Sequence, residues 1–126
     1  MTAPRFERTP AATGPCVRGF AGKLLRIGDE RYAGVLLTPE RVLPWSPPPL
    51  DALGAADVAP LLALAPPPEF LLLGTGPATV FPPRALVLAL EVRGIGVEAM
   101  DSRAAARAWG LLRGEGRWIA AALMPL

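Results

Sequence analysis

Three consecutive prolines, Pro47-Pro48-Pro49, divide this chain of 126 residues into halves with different hydrophobic periods. Proline fixes φ and lacks an N–H, so neither a helix nor an inner strand continues through residues 46–50. That stretch reads as an extended polyproline connection. Before it, apolar residues fall in short runs of the β type. After it the period moves from two toward 3.6, and strand-like runs alternate with helix-like ones. A chain of this length that does both is read as one α/β domain with a β-rich first part.

Residues 1–16, rich in Pro, Thr and Ala, carry no hydrophobic period and read as a loose N-terminal arm, leaving 17–126 as the domain. Val17, Phe20, Leu24, Leu25 and Ile27 precede Gly28-Asp29-Glu30, and Tyr32, Val35, Leu36 and Leu37 follow. Gly and Asp between two β-rich runs predict a hairpin. Residues 41–45 add a short strand.

Beyond the prolines, residues 53–64 predict a helix with Asp51 as its N-cap and Pro66 ending it. Glu69-Phe70-Leu71-Leu72-Leu73-Gly74 is an unbroken apolar run closed by glycine, the pattern of a strand covered on both faces. A helix over 83–92 starts on proline and stops at Gly94. A strand over 96–100 follows. Asp101 or Ser102 then caps a helix that carries Ala104, Ala105, Ala108, Trp109, Leu111 and Leu112 and ends near Gly114. Residues 117–123 form the last strand, where Ala120, Ala121 and Ala122 leave room for a helix to approach closely. Strand, helix, strand, helix, strand with short links favours right-handed crossovers and a largely parallel or mixed sheet.

Composition removes several chemistries. Histidine is absent and Cys16 is the one cysteine, which excludes a disulfide framework, Cys/His zinc sites, Ser-His-Asp and Cys-His catalysis and an imidazole switch. Hydrophobic residues at 52% and charged residues at 19% exclude a disordered tail. The net charge of +2 has no dense basic block interleaved with aromatics, so nucleic acid is not an expected partner. All the bases except Lys23 are arginine, a bias that points to a GC-rich coding sequence. No secretory signal is expected, because Arg5, Glu7, Arg8 and several prolines break the first apolar-rich stretch. The longest apolar candidate for a membrane span, 58–73, is cut by Pro60, Pro66, Pro67, Pro68 and Glu69. No membrane insertion is expected, and a reducing cytoplasm suits the lone thiol.

Two places stand out as candidate sites. Gly74-Thr75-Gly76 ends a strand in Gly-x-Gly, a geometry that brings backbone amides to an anion, with Asp101, Ser102 and Arg103 at the next strand end. Pro77, Pro82 and Pro83 remove donors there, and the third glycine of a dinucleotide loop is missing. A tight turn and a plain helix cap are the competing reading. The second place is a partner surface. Leu88 and Val92 lie off the main apolar stripe of their helix, which is then either deeply buried or partly covered by another chain, and Arg103, Arg107 and Arg113 form a basic side of the following one, either a solvated helix face or a docking surface for an acidic partner. No carboxylate pair shows catalytic spacing, and Cys16 has no neighbouring base.

The strings Leu71-Leu72-Leu73-Gly74-Thr75-Gly76, then Gly94-Ile95-Gly96-Val97-Glu98-Ala99-Met100-Asp101-Ser102, then Glu115-Gly116-Arg117 leading into Ala120-Ala121-Ala122-Leu123, resemble a small family of domains of unknown function that includes the mitochondrial respiratory complex I assembly factor three. Gly19-Phe20, Tyr32, Gly34, Pro39 and Trp45 extend the likeness into the first half. The resemblance implies a three-layer α/β domain with a mixed central sheet and an additional N-terminal β layer. It implies no established enzymatic activity and no cofactor. It further implies an assembly-factor-like interaction protein that assists biogenesis of a membrane protein complex, as bacterial relatives beside protein-export genes suggest, with a complex subunit as partner. A homodimer is compatible with this. The alternative is a small-molecule or anion-binding domain using Gly74-Thr75-Gly76. Where relatives often carry Tyr-Asn this chain has Trp109-Gly110, and Ala106 replaces a frequent cysteine. A glycine inside a helix costs about 1 kcal/mol relative to alanine, so Gly110 predicts close packing.

Overall fold

The structure, a computed structural model, describes residues 14–126. The arm expected over 1–16 therefore falls mostly outside the described residues, and Gly14, Pro15 and Cys16 lead directly into the first strand.

Three short strands, β1 (Val17–Ala21), β2 (Leu24–Ile27) and β3 (Glu30–Tyr32), form an antiparallel meander. The turn expected at Gly28-Asp29 is present, with Ile27 opposite Glu30. The single hairpin running from Val17 to Leu37 is not. The chain already reverses at Gly22-Lys23, with Ala21 opposite Leu24 and Gly22 at φ +63°. Adjacent Leu24 and Leu25 blurred the period of two at that turn. Residues Val35–Leu37 leave the meander as β4 and join a second sheet, pairing with β5 (Val42–Pro44).

That second sheet has five strands in the order β5-β4-β8-β6-β7, where β6 is Phe70–Gly74, β7 Gly96–Met100 and β8 Ala120–Leu123. β6 pairs parallel with β7 and β8, and β4 pairs antiparallel with β8 and β5. Successive side chains of a strand point to opposite faces, and here both faces are covered. Val35, Leu37, Leu72, Ala121 and Leu123 enter one core with Leu25, Ile27, Ala105, Ala106 and Trp109. Leu36, Leu71, Leu73, Ala120 and Ala122 enter the other with Val58, Leu61, Leu86 and Leu90. The result is the expected three-layer α/β domain, its mixed central sheet lying between helices on one side and a helix plus the small β layer on the other.

The expected helix over 53–64 breaks into pieces. A 3-10 turn at Leu50–Ala52 and another at Ala55–Val58 precede the single α-helical turn α1 (Ala59–Leu62). Gly54 sits extended between the turns and Pro60 brings no N–H to α1, so an uninterrupted ladder cannot form. The capping carboxylate is Asp57, which accepts the Gly54 N–H at 2.8 Å, and not Asp51. The other helices match expectation closely: α2 spans Arg84–Glu91 and α3 spans Ser102–Gly114 with Asp101 as N-cap, accepting the Ala104 N–H at 2.9 Å. The last strand is shorter than expected, because Arg117 and Trp118 are engaged by Glu69 before β8 begins.

The alanines of β8 do admit a close helix, since Ala121 shares its core with Ala105 and Ala106 of α3. Gly110 marks no such approach. A Cβ built there meets the Cys16 Sγ at 3.7 Å, an ordinary contact. Among the described residues, no helix is long and apolar enough to cross a membrane.

Candidate functional site

β6 lies between its two parallel partners, with α2 leading from it to β7 on one face and α3 returning from β7 to β8 on the other. The carboxyl ends of β6 and β7 thus form a switch point, the place where open α/β sheets hold ligands. Gly74, Thr75 and Gly76 meet Asp101 and Ser102 there, as the sequence predicts.

The junction is closed by its own hydrogen bonds. Thr75 N–H donates to the Met100 carbonyl at 2.8 Å and Ser102 N–H to the Gly76 carbonyl at 2.8 Å. Gly76 N–H donates to the Ser102 Oγ at 2.9 Å, and that hydroxyl donates to the Met124 carbonyl at 2.7 Å. The Thr75 hydroxyl donates to the Ala78 carbonyl at 2.6 Å and accepts the Val80 N–H at 3.2 Å. Asp101 N–H donates to the Thr79 Oγ1 at 3.1 Å. An anion held by Gly-x-Gly needs free amides, and these are committed. Arg103 turns away to the small sheet, its guanidinium 5.3 Å from the Phe20 ring centre.

Beside this closed junction lies an open groove of about 480 Å³. Pro49, Leu50 and Asp51 line it from the polyproline connection and the turn that follows, and Thr75, Val80, Phe81 and Pro83 from the loop after β6. Phe81 is 96% exposed. Fully burying such a side chain is worth about 1.5–3 kcal/mol, and within this molecule Phe81 gains almost none of that. The sequence held one signal for it: Phe81 stands in the non-periodic stretch between Pro77 and Pro82, outside any helical or strand stripe that would take it into the core.

The residues expected to form one partner surface fall on two. Leu86 and Leu90 of α2 are buried, while Leu88 is 45% and Val92 85% exposed on its outer side. α3 covers the opposite face of the sheet, so Arg107, exposed there with Leu111 one turn on, points the other way. Arg113 donates to the Arg117 carbonyl at 2.6 Å and closes the end of α3. The basic side thus dissolves into three different roles.

A second cleft, of about 560 Å³, runs between the small sheet and β5, with Arg18, Asp29, Glu30, Tyr32 and Glu40 among its walls. No sequence spacing announces it, because its residues come from three segments joined only by the fold. Cys16 lines it too. Among the described residues, no three His, Cys, Asp or Glu side chains gather to hold a metal ion. A charged pair is perturbed: the Arg117 guanidinium, donating to Glu69 at 2.8 Å, holds the Glu69 carboxyl below its ordinary value.

Comparison with known proteins gives consistent relatives. Residues 17–124 match a family described as a protein of unknown function, DUF498/DUF598. An uncharacterised protein of Rhodobacter capsulatus is 34% identical over 121 residues, which is 94% of this chain and 92% of that protein. The crystal structure of a Bordetella parapertussis protein superposes with a TM-score of 0.82 at 32% identity, covering 93% of this chain and all of the other. A Bordetella pertussis protein described as an Mth938-like domain gives a TM-score of 0.77 at 27% identity, over 98% of this chain and 92% of its own.

Proposed function

We propose that this chain, which belongs to the DUF498/DUF598 family of unknown function, works by docking another protein and assists the assembly of a membrane protein complex from the cytoplasmic side. The observation that carries this is the outer side of α2, where Leu88 and Val92 stand in water while Leu86 and Leu90 anchor the same helix in the core. Single exposed apolar residues are ordinary. Two of them one turn apart on a well-anchored helix make a firm ledge for an apolar face of a partner, in the manner of a helix anchor. The closed switch point supports a docking role over turnover, since its amides and hydroxyls serve the fold. Resemblance to the family that includes the complex I assembly factor three supplies the membrane-complex setting.

The test is affinity capture of the tagged chain from membrane-solubilised cells, followed by identification of co-purifying subunits. Subunits of a membrane complex are expected with the wild type and lost with Leu88→Asp. Arg107→Glu, on the opposite face, leaves them bound if α2 is the docking ledge. Capture unchanged in Leu88→Asp rejects that ledge.

A further inference from the structure

Phe81 and the groove beside it form a knob and a hole on one patch that cannot satisfy each other within the molecule. Phe81 helps to line the groove yet remains 96% exposed. Its loop is held firmly: Val80 N–H is bound by the Thr75 hydroxyl, and Pro82 and Pro83 follow directly. A ring presented on such a loop loses little freedom when it is buried. The groove, at about 480 Å³, has ample room for it, since a cavity of roughly 150 Å³ already holds benzene.

Charge repeats the pattern. The one charged side chain lining the groove is Asp51, which is exposed, and Arg84, also exposed, opens α2 three residues after Phe81. Neither is in an ion pair among the described residues. The patch therefore offers an apolar anchor followed by a cation, and its groove asks for an apolar anchor accompanied by a cation. The chemistry that fits the groove is written in residues 80–84 of this same chain.

We propose that the occupant is a second copy of the chain. The two copies meet about a two-fold axis, each Phe81 entering the other's groove and each Asp51 facing the other's Arg84. A surface complementary to itself closes as a symmetric pair. Each buried phenylalanine contributes about 150–250 Å², and the flanking Val80, Pro49 and Leu50 add to it. The contact is at the small end of specific interfaces, so it forms reversibly with concentration. It stands apart from the α2 ledge. Val92 follows the far end of an eight-residue helix, roughly 12 Å from the groove end.

The experiment is sedimentation equilibrium of the full chain from low micromolar to near-millimolar concentration. The wild type is expected to shift from monomer to dimer across this range. Phe81→Asp stays monomeric throughout, with an unchanged melting temperature at concentrations where the wild type is also monomeric. Asp51→Arg weakens the dimer about tenfold, as two rim pairs worth a few-fold each require, and adding Arg84→Asp to it restores the dimer. A wild type that remains monomeric overturns the proposal, as does a dimer untouched by Phe81→Asp or a charge reversal that fails to rescue. Phe81→Asp is also expected to capture the same subunits as the wild type, so failure here leaves the α2 docking role standing, and failure of that role leaves the dimer.

Discussion

Ser102 stands where a side chain on Gly74 would have to go: a Cβ built on Gly74 falls 2.7 Å from the Ser102 Oγ and 2.9 Å from its Cα. The glycine that ends β6 is therefore a matter of space. Gly74→Ala is expected to cost about 3 kcal/mol, at the upper end for overpacking, because backbone must move. Ser102→Gly in the same background will not rescue it, since the obstructing Cα remains. Denaturant unfolding of the single and double variants checks both statements.

Ser102→Ala by itself tests the closed junction. It removes one hydroxyl that accepts from Gly76 N–H and donates to the Met124 carbonyl, at a site with no exposure. Each buried group left unpaired costs about 1–3 kcal/mol, so a loss near 3 kcal/mol is expected with little change in the dependence on denaturant. A loss under half of that in chemical denaturation means that water enters and replaces the hydroxyl, and the junction is then looser than its distances imply.

The sequence shows the central strands plainly and the closed junction hardly at all. Leu71, Leu72 and Leu73 declare burial on both faces by being an unbroken apolar run, and Asp101 declares a cap by its place before Ala104 and Ala105. The break of residues 53–64 into turns was written in Gly54 and Pro60, but the apolar residues around them mimic a helical period. Nothing in the spacing of Gly74-Thr75-Gly76 tells an anion-binding turn from a sealed one. That difference rests on Ser102 and Met124 arriving from 26 and 48 residues downstream of Gly76, which only the register of β8 decides. The charged cleft near Tyr32 is invisible for the same reason: Arg18, Glu30 and Glu40 become neighbours only when the meander folds back.

Gly110 offers a gain in stability. It sits inside α3, where glycine is less favourable than alanine by about 1 kcal/mol, and the added methyl meets only the Cys16 Sγ at contact distance. Gly110→Ala is expected to raise the unfolding free energy by up to about 1 kcal/mol, read as a higher melting temperature. A fall instead means that Cys16 and the start of β1 cannot give way, and that the small residue serves the seam between α3 and the N-terminal strand.

The Glu69 and Arg117 pair gives the fold a weak acid sensitivity with a defined sign. Glu69 Oε1 accepts two N–H groups of Arg117, at 3.0 and 2.8 Å, and Oε2 accepts the Trp118 N–H at 3.3 Å. The Arg117 hydrogen bonds are the chief cause of the lowered Glu69 carboxyl, with the Trp118 amide assisting and burial opposing. A carboxyl that ionises more easily folded than unfolded stabilises the fold fully above its unfolded value. That contribution fades as pH falls through the lower folded value. The matching rise of Arg117 lies far above neutrality and leaves this window untouched. Because 46% of Glu69 and 40% of Arg117 remain exposed, solvent and salt screen the pair. Glu69→Gln is therefore expected to melt slightly lower than the wild type at pH 7, and the two melting curves should converge as pH falls toward about 3. High salt should narrow the gap at pH 7. A gap that is constant across the whole range would show that Glu69 acts through shape and not through its charge.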